Sequence, residues 1–317
     1  MKLPLQISPM LAIAAEPFNS PDYLFEIKWD GLRCLAFLTD TTRLQSRNLR
    51  DISFQYPELT TLHQKVHKTN TILDGEIIVL EAGKPSFFRL QSRMHATSEQ
   101  SIKYGMRKHP VIYMAFDLLY SEGKSLMHLP LYERQELLYS ILIPNQHLVI
   151  SQAIPEQGLS LYSQAVKLGL EGIIGKEKNS PYLPGKRSPA WQKSRITKSA
   201  NFVICGYTTN PKGREDLSAL IIGAYTGQDL LPYGLVGTGF SQAEIDYLLN
   251  LFKPLLINKS CLTKPLYPPS HRVQWLQPQL VCEVEYLEVT GDHHLRHPFY
   301  KGLRKIEAKE CQIDLIK

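Results

Sequence analysis

Lys28 is the residue whose surroundings most suggest chemistry. It stands in the run Phe25-Glu26-Ile27-Lys28-Trp29-Asp30-Gly31-Leu32-Arg33. On a strand, successive side chains face opposite ways, so Glu26, Lys28 and Asp30 would share one face while Phe25, Ile27 and Trp29 share the other. Gly31 would end the strand and permit a sharp turn that returns Arg33 toward the same place. A lysine among acids is ordinarily an ion-paired residue and nothing more. To act as a nucleophile a lysine must lose a proton that it normally holds to about pH 10.4. Neighbouring cations or desolvation are what remove it. The sequence offers such cations. In Trp191-Gln192-Lys193-Ser194-Arg195 the alternation puts Lys193 and Arg195 on one face, with Trp191 as the anchor, and Lys176 ends Glu171-Gly172-Ile173-Ile174-Gly175-Lys176. Each could be a plain surface residue. Together with Lys28 they could hold the phosphates of a nucleotide and favour the neutral amine.

Acids for a metal ion are also present. Leu73-Asp74-Gly75-Glu76-Ile77-Ile78-Val79-Leu80 reads as a buried strand with Asp74 and Glu76 on one face. A carboxylate at the mouth of such a strand suits Mg²⁺, which prefers hard oxygen donors, and Glu171 is the second candidate. Taken alone, the same motif would be a turn Asp and an edge Glu. Phe116, in Tyr113-Met114-Ala115-Phe116-Asp117, is either core or a platform for a base, and on general grounds core is the commoner use. His293, His294 and His297 fit no common metal spacing and read as a surface cluster.

These residues need elements to position them. Residues 23–30, 34–38, 71–80 and 111–119 read as strands, and residues 131–142 and 159–168 as helices. A loop is expected around Ser180-Pro181 and Pro184-Gly185. The polar run Thr197-Lys198-Ser199-Ala200-Asn201 marks a boundary that divides the chain into residues 1–197 and 198–317. Strands open the second part at residues 202–207 and 219–225. Ser241-Gln242-Ala243-Glu244 is a capping box that starts a helix running to about Phe252. In residues 281–289, Cys282, Val284 and Tyr286 face one way, until Leu287 and Glu288 reverse the pattern at a bulge or strand end. About five strands and one helix in this part suit a small barrel.

Composition narrows the class. The chain has 317 residues, 43% hydrophobic and 21% charged, which fits a two-domain globular protein. The net charge of +6 is mild, but residues 178–214 hold eight Lys or Arg (Lys178, Lys186, Arg187, Lys193, Arg195, Lys198, Lys212 and Arg214) and no acid. Such a one-sign stretch is either a solvated basic face or the footprint of a polyanion. Five scattered cysteines argue against a disulfide framework and a zinc knuckle. The apolar N-terminus, interrupted by Pro4, Gln6 and Pro9, makes a poor signal peptide, and no stretch approaches a membrane span. A reduced cytoplasm is the expected location.

The ordered series Lys28-Trp29-Asp30-Gly31-Leu32-Arg33, Ser46-Arg47-Asn48, Asp74-Gly75-Glu76, Phe116-Asp117, Glu171 to Lys176 and Trp191 to Arg195 resembles the motifs of the covalent nucleotidyltransferases. Within that superfamily the chain is most similar to the small bacterial ATP-dependent DNA ligases, including the ligase module of bacterial end-joining ligases. Pro9-Met10-Leu11-Ala12, Leu295-Arg296-His297-Pro298-Phe299 and Gly302-Leu303-Arg304 share that likeness, which covers nearly the whole chain. The resemblance implies an α+β fold: a nucleotidyltransferase domain of ATP-grasp-like antiparallel sheets with helices, followed by an OB-fold β-barrel domain. It implies that Lys28 carries AMP, that Glu26 lies near the adenine amine, and that Phe116 stacks on the ring. Glu76, Arg33, Arg47 and Arg187 would hold the ribose, the phosphates or the 5′-phosphate of a nick. Lys176, Lys193 and Arg195 would hold the α-phosphate, while Glu76 and Glu171 place Mg²⁺. The chain departs from the family pattern at Arg195, where a second Lys is usual, so the charge is kept and the geometry changed. It also departs at Arg304-Lys305-Ile306-Glu307, where Arg-x-Asp-Lys is usual, a motif that helps to orient pyrophosphate. The function implied is sealing of 5′-phosphate/3′-OH nicks in double-stranded DNA, in repair, recombination or end joining, by a monomer that a DNA-end-binding protein could recruit. An RNA ligase or capping enzyme is the alternative of the same chemistry. A nick- or end-binding protein with weak catalysis is the alternative of another class.

Overall fold

In the computed structural model, residues 3–209, 217–264 and 272–312 are described. The chain divides into two compact units, Met1–Ile196 and Thr197–Lys317. The expectation of mixed α and β structure holds in the first, which is built on two sheets.

One sheet runs in the order Leu11–Ala14, Arg187–Arg195, Gly172–Glu177, Ser20–Ile27, Ile154–Glu156. The other runs Thr42–Ser46, Leu32–Leu38, Thr71–Glu81, Val111–Ser121, Lys124–Ser125. Nearly all neighbours are antiparallel; Leu11–Ala14 lies parallel to Arg187–Arg195, and Leu148–Ile150 parallel to Val111–Ser121. The long strands read clearly in sequence because they are apolar on both faces. Thr71–Glu81 and Val111–Ser121 put Leu73, Ile77, Val79, Tyr113 and Ala115 into one core, while Ile72, Phe116 and Leu119 enter a second. Trp191, from the other sheet, completes that second core with Met10 and Tyr182, so it lies where side chains of both sheets meet.

Helices cover the outer faces. Leu131–Ile141 sends Leu138 and Ile141 into the first core, and Phe87–Met94 sends Leu90 there. Gly158–Leu168 packs Leu161 and Ala165 against Phe25 and Ile173 of the other sheet. Phe87–Met94 and Glu99–Lys108 escaped the sequence reading. Ser86 and Ser98 announce them, each accepting a hydrogen bond from a first-turn backbone N–H.

In the second unit the strand Lys198–Thr209 organises the sheet. One edge pairs with Leu217–Thr226, which in turn pairs with Asp229–Val236. Its other edge is shared: Lys198 to Val203 pair with Val281–Tyr286, and Gly206 to Thr209 pair with Arg272–Leu276. The register shifts between Ile204 and Gly206, and this irregularity lets one strand serve two partners. The helix Gln242–Phe252 begins at the expected capping box and sets Leu248 and Phe252 into the core. Cys282, Val284 and Tyr286 face that core, and their strand stops at Tyr286, one residue before the pattern reverses.

Candidate functional site

The expected strand at residues 23–30 is in fact Ser20–Ile27 and ends just before Lys28. The backbone still makes one more link, Lys28 N–H to the Gly172 carbonyl at 2.9 Å. Past it the chain must come close to Thr71–Glu81. A Cβ on Gly31 would lie 2.3 Å from the Ile77 carbonyl oxygen and 2.8 Å from Glu76 Cγ, so only glycine fits. Thus Gly31 sets the Lys28 segment against Glu76. Gly172 makes a second close approach: with φ +143°, its Cβ position is 2.1 Å from the Ser194 carbonyl oxygen. Glu171 is thereby brought beside Arg187–Arg195, whose Lys193 and Arg195 pair in register with Ile174 and Gly172.

These approaches produce a charged cluster. Lys28 Nζ donates to Glu171 Oε2, and Arg195 Nε lies 3.4 Å from Glu171 Oε1. Burial, and then the charges of Arg195, Lys28 and Arg187, lower the pKa of the Lys193 ammonium. Part of that shift reflects the positive charge gathered around Lys193, which Glu171 opposes. Glu76 is the second carboxylate. Burial pushes its carboxyl up to about 8; Arg33 and Lys28 oppose the rise, and Glu171 and Asp74 add to it.

Beneath the cluster lies a fully desolvated layer. Glu26 and Lys176 are 2% and 1% exposed and paired at 2.8 Å, and Gln135 Nε2 also donates to Glu26 Oε1 at 2.7 Å. Burial raises the Glu26 pKa, with Lys176 the main opposing influence. Phe116 is 7% exposed, with Lys176 Nζ 4.4 Å and Arg33 4.5 Å from its ring centre. Trp191 Nε1 is buried there without a hydrogen-bond partner.

The cluster unites Lys28, Glu76, Glu171, Lys193, Arg195 and Arg187, with Glu26, Lys176, Phe116 and Arg33 directly below. Two other sequence candidates stand apart. Arg47 is exposed in the turn after Thr42–Ser46, and among the described residues no hydrogen bond or ion pair joins it to the cluster. Arg304 belongs to the second unit, where it pairs with Glu283. Asp74, read as a possible metal acid, is wholly buried instead: Arg33 grips it twice at 2.7 Å and Tyr182 Oη donates to it at 2.6 Å. The basic stretch is only partly free. Lys178 lies 3.7 Å from Glu156 and Arg187 donates to the Ala12 carbonyl, while Lys212 and Arg214 fall outside the described residues.

Sequence reasoning missed Gln135, Arg134 and Tyr182. Arg134, itself buried, holds buried Asp117 with two bonds of 2.8 Å. The signal was available. Leu131, Arg134, Gln135 and Leu138 fall at i, i+3, i+4 and i+7, so two polar residues occupy the core face of the helix. Buried polar side chains need partners, and here they find Asp117 and Glu26.

The donor set suits a nucleotide polyphosphate with a divalent cation. The cluster concentrates cations, Glu76 has no hydrogen-bond partner among the described residues, and the layer below offers an orphan indole N–H. One or two carboxylates are the usual protein share of a Mg²⁺ site. Among the described residues no group of three or more His, Cys, Asp or Glu could hold a metal on its own.

Residues 9–195 match the family model for the ATP dependent DNA ligase domain, and residues 213–306 that for the ATP dependent DNA ligase C terminal region. The multifunctional non-homologous end joining protein LigD of Mycolicibacterium smegmatis is 33% identical over 308 residues, 95% of this chain and 39% of its own length. A DNA ligase of Methanoculleus marisnigri is 30% identical, over 92% of this chain and 53% of its own. This chain therefore spans 39% of the length of the first of these relatives and 53% of the second. The crystal structure of the ligase domain of M. tuberculosis LigD superposes with a TM-score of 0.54 at 30% identity, covering 97% of this chain and 98% of that one. The two-part architecture, a nucleotidyltransferase domain and an OB-fold domain, agrees with that neighbour.

Proposed function

The chain belongs to the ATP-dependent DNA ligase family, and from that premise we propose that it seals nicks in duplex DNA through an AMP group carried on Lys28. The observation that carries the proposal is the placement of Lys28. It is held by Glu171, which Arg195 also approaches, lies near Lys193, and is set by Gly31 against Glu76. Lys28 Nζ would attack the α-phosphorus of ATP, forming a P–N bond as the bond to pyrophosphate breaks. The 5′-phosphate of a nick would then take the AMP, and the adjacent 3′-OH would displace it. Each displacement gathers charge on phosphoryl oxygens, which a preorganised set of cations stabilises. Lys193 and Arg195 are assigned to the α-phosphate. Lys176 would act from below, where its salt bridge to Glu26 opposes the rise that burial imposes on that carboxyl. Glu26, steadied by Gln135, faces the adenine amine in this assignment, and Phe116 flanks the ring. Glu76 and Glu171 would hold Mg²⁺, which when bound would supply charge neutralisation to the phosphate oxygens. Arg304, in the second unit, and Arg47 complete the assignment as groups for the pyrophosphate and the nick phosphate.

We assign DNA as the substrate, a monomer as the working state, the cytoplasm as the location, and a DNA-end-binding protein as a possible recruiter. The names of the end-joining and DNA ligase relatives support DNA as the substrate. The described part of the chain has no helix long and apolar enough to cross a membrane. The test is joining of a nicked duplex with DNA on both sides of the break, in ATP and Mg²⁺. Sealed DNA from the parent and none from Lys28→Ala is expected, with activity falling steeply as salt rises. Joining confined to RNA strands would move the assignment to an RNA ligase.

A further inference from the structure

Four of the five cysteines, far apart in sequence, meet inside the second unit. Cys205, Cys282 and Cys311 are buried, and Cys261 is half-buried. Cys205 sits at the irregularity of Lys198–Thr209, in a core with Val203, Ile221 and Leu262 against which Cys261 packs. Cys261 Sγ lies 3.8 Å from the Cys205 carbonyl oxygen, and the two thiols are close enough to influence each other's protonation. The facing strand leaves space for the pair. A Cβ on Gly223 would come within 2.9 Å of Cys205 Sγ and 3.0 Å of Leu262 Cδ2. The group does not form a metal centre, since no set of three or more ligating side chains among the described residues could hold one.

We propose that Cys205 and Cys261 are an oxidation site that takes a hydroperoxide and closes into a disulfide, tying Lys198–Thr209 to the segment after the helix Gln242–Phe252. Their exposure divides them: Cys261 is half-buried and open to solvent, whereas Cys205 is buried. The hydrogen bond from Cys205 lowers the pKa of the Cys261 thiol, the one solvent reaches. The same bond, with burial, raises that of Cys205 well above the ordinary thiol value. The reactive form is the thiolate, so Cys261 is attacked first. Its sulfur takes one oxygen from hydrogen peroxide: an S–O bond forms, the O–O bond breaks, and hydroxide leaves to collect the thiol proton as water. Cys205 sulfur then attacks the sulfenic sulfur of Cys261. The S–S bond forms, the S–O bond breaks, and the departing hydroxide takes the Cys205 proton as a second water. Two thiols and one peroxide give one disulfide and two waters, with two electrons passing from sulfur to oxygen. Cellular thiols would reopen the bond by exchange.

The experiment uses the full chain, reduced, freed of reductant and exposed to hydrogen peroxide with glutathione oxidised in parallel to verify the dose. Thiols are then blocked and the protein digested without reduction for mass spectrometry. Expected are a loss of two free thiols from the chain's five, a cross-link joining the peptides that contain Cys205 and Cys261, and full reversal by dithiothreitol. Cys261→Ser should lose the cross-link. Cys261 found as sulfinic acid without a cross-link, a cross-link through Cys282 or Cys311 instead, or five thiols surviving a verified dose would each overturn the proposal.

Discussion

Glu76 keeps its proton in the folded protein to about pH 8, whereas the same carboxyl in an unfolded chain ionises near 4.5. Between those values the folded state holds a proton that the unfolded state has released. The contribution of Glu76 to stability is therefore full below about 4.5 and is lost as pH rises toward 8. Glu76→Gln removes that dependence. The ligand-free variant should melt above the parent at pH 8, by at least the 2–4 °C that about 1 kcal/mol produces in a domain of this size, and the gap should narrow steadily toward pH 5. Scanning fluorimetry across that range decides it, and a gap independent of pH would count against the burial argument. The same proton competes with a metal ion, so Mg²⁺-dependent activity should rise with pH through this window. At this scale much of the site was legible. Lys28, Glu171, Lys193 and Arg195 were identified from type, alternation and order. Alternation grouped Lys193 with Arg195, but the expected shared face of Glu26, Lys28 and Asp30 fails because the strand ends at Ile27; close approaches at Gly31 and Gly172 set Lys28 against Glu76 and Glu171 instead. A motif scan sees the glycines but not the backbone they let in.

The helix Leu131–Ile141 fastens the site from the far side of the sheet. Arg134 clamps Asp117 next to Phe116, and Gln135 reaches Glu26. Both pairings are wholly buried, so their partners cannot turn to water if one is lost. Arg134→Met should cost about 3–5 kcal/mol, the usual penalty for leaving a buried charge alone. Adding Asp117→Leu should recover a large part of it. Urea unfolding of the parent, the single variants and the double variant measures this, and additive losses would mean that the pair is not coupled. The long strands were legible because their apolar runs admit few other readings. The helices Phe87–Met94 and Glu99–Lys108 were not: they are short, at 8 and 10 residues, and the capping box of the second uses Ser101 where Glu or Gln is commoner.

Over the whole chain, the departures from the family pattern become intelligible in structure. Ile306 packs against the core that holds Cys205, and the Glu307 side chain caps the short turn Ala308–Glu310. Both residues that replace the usual Asp and Lys therefore serve the fold of the second unit, and Arg304 keeps its charge in a pair with Glu283. This use could not be read from sequence, because it depends on strands that return from distant segments, as does the gathering of four scattered cysteines. The central claim is that Lys28 is a nucleophile, and the most direct test is self-adenylation. Purified protein, freed of bound nucleotide, is mixed with Mg²⁺ and ATP labelled on the α-phosphate and run on a denaturing gel beside Lys28→Ala. A labelled band in the parent and none in the variant is the predicted result. No band from folded parent protein, or an equal band from Lys28→Ala, would contradict the account.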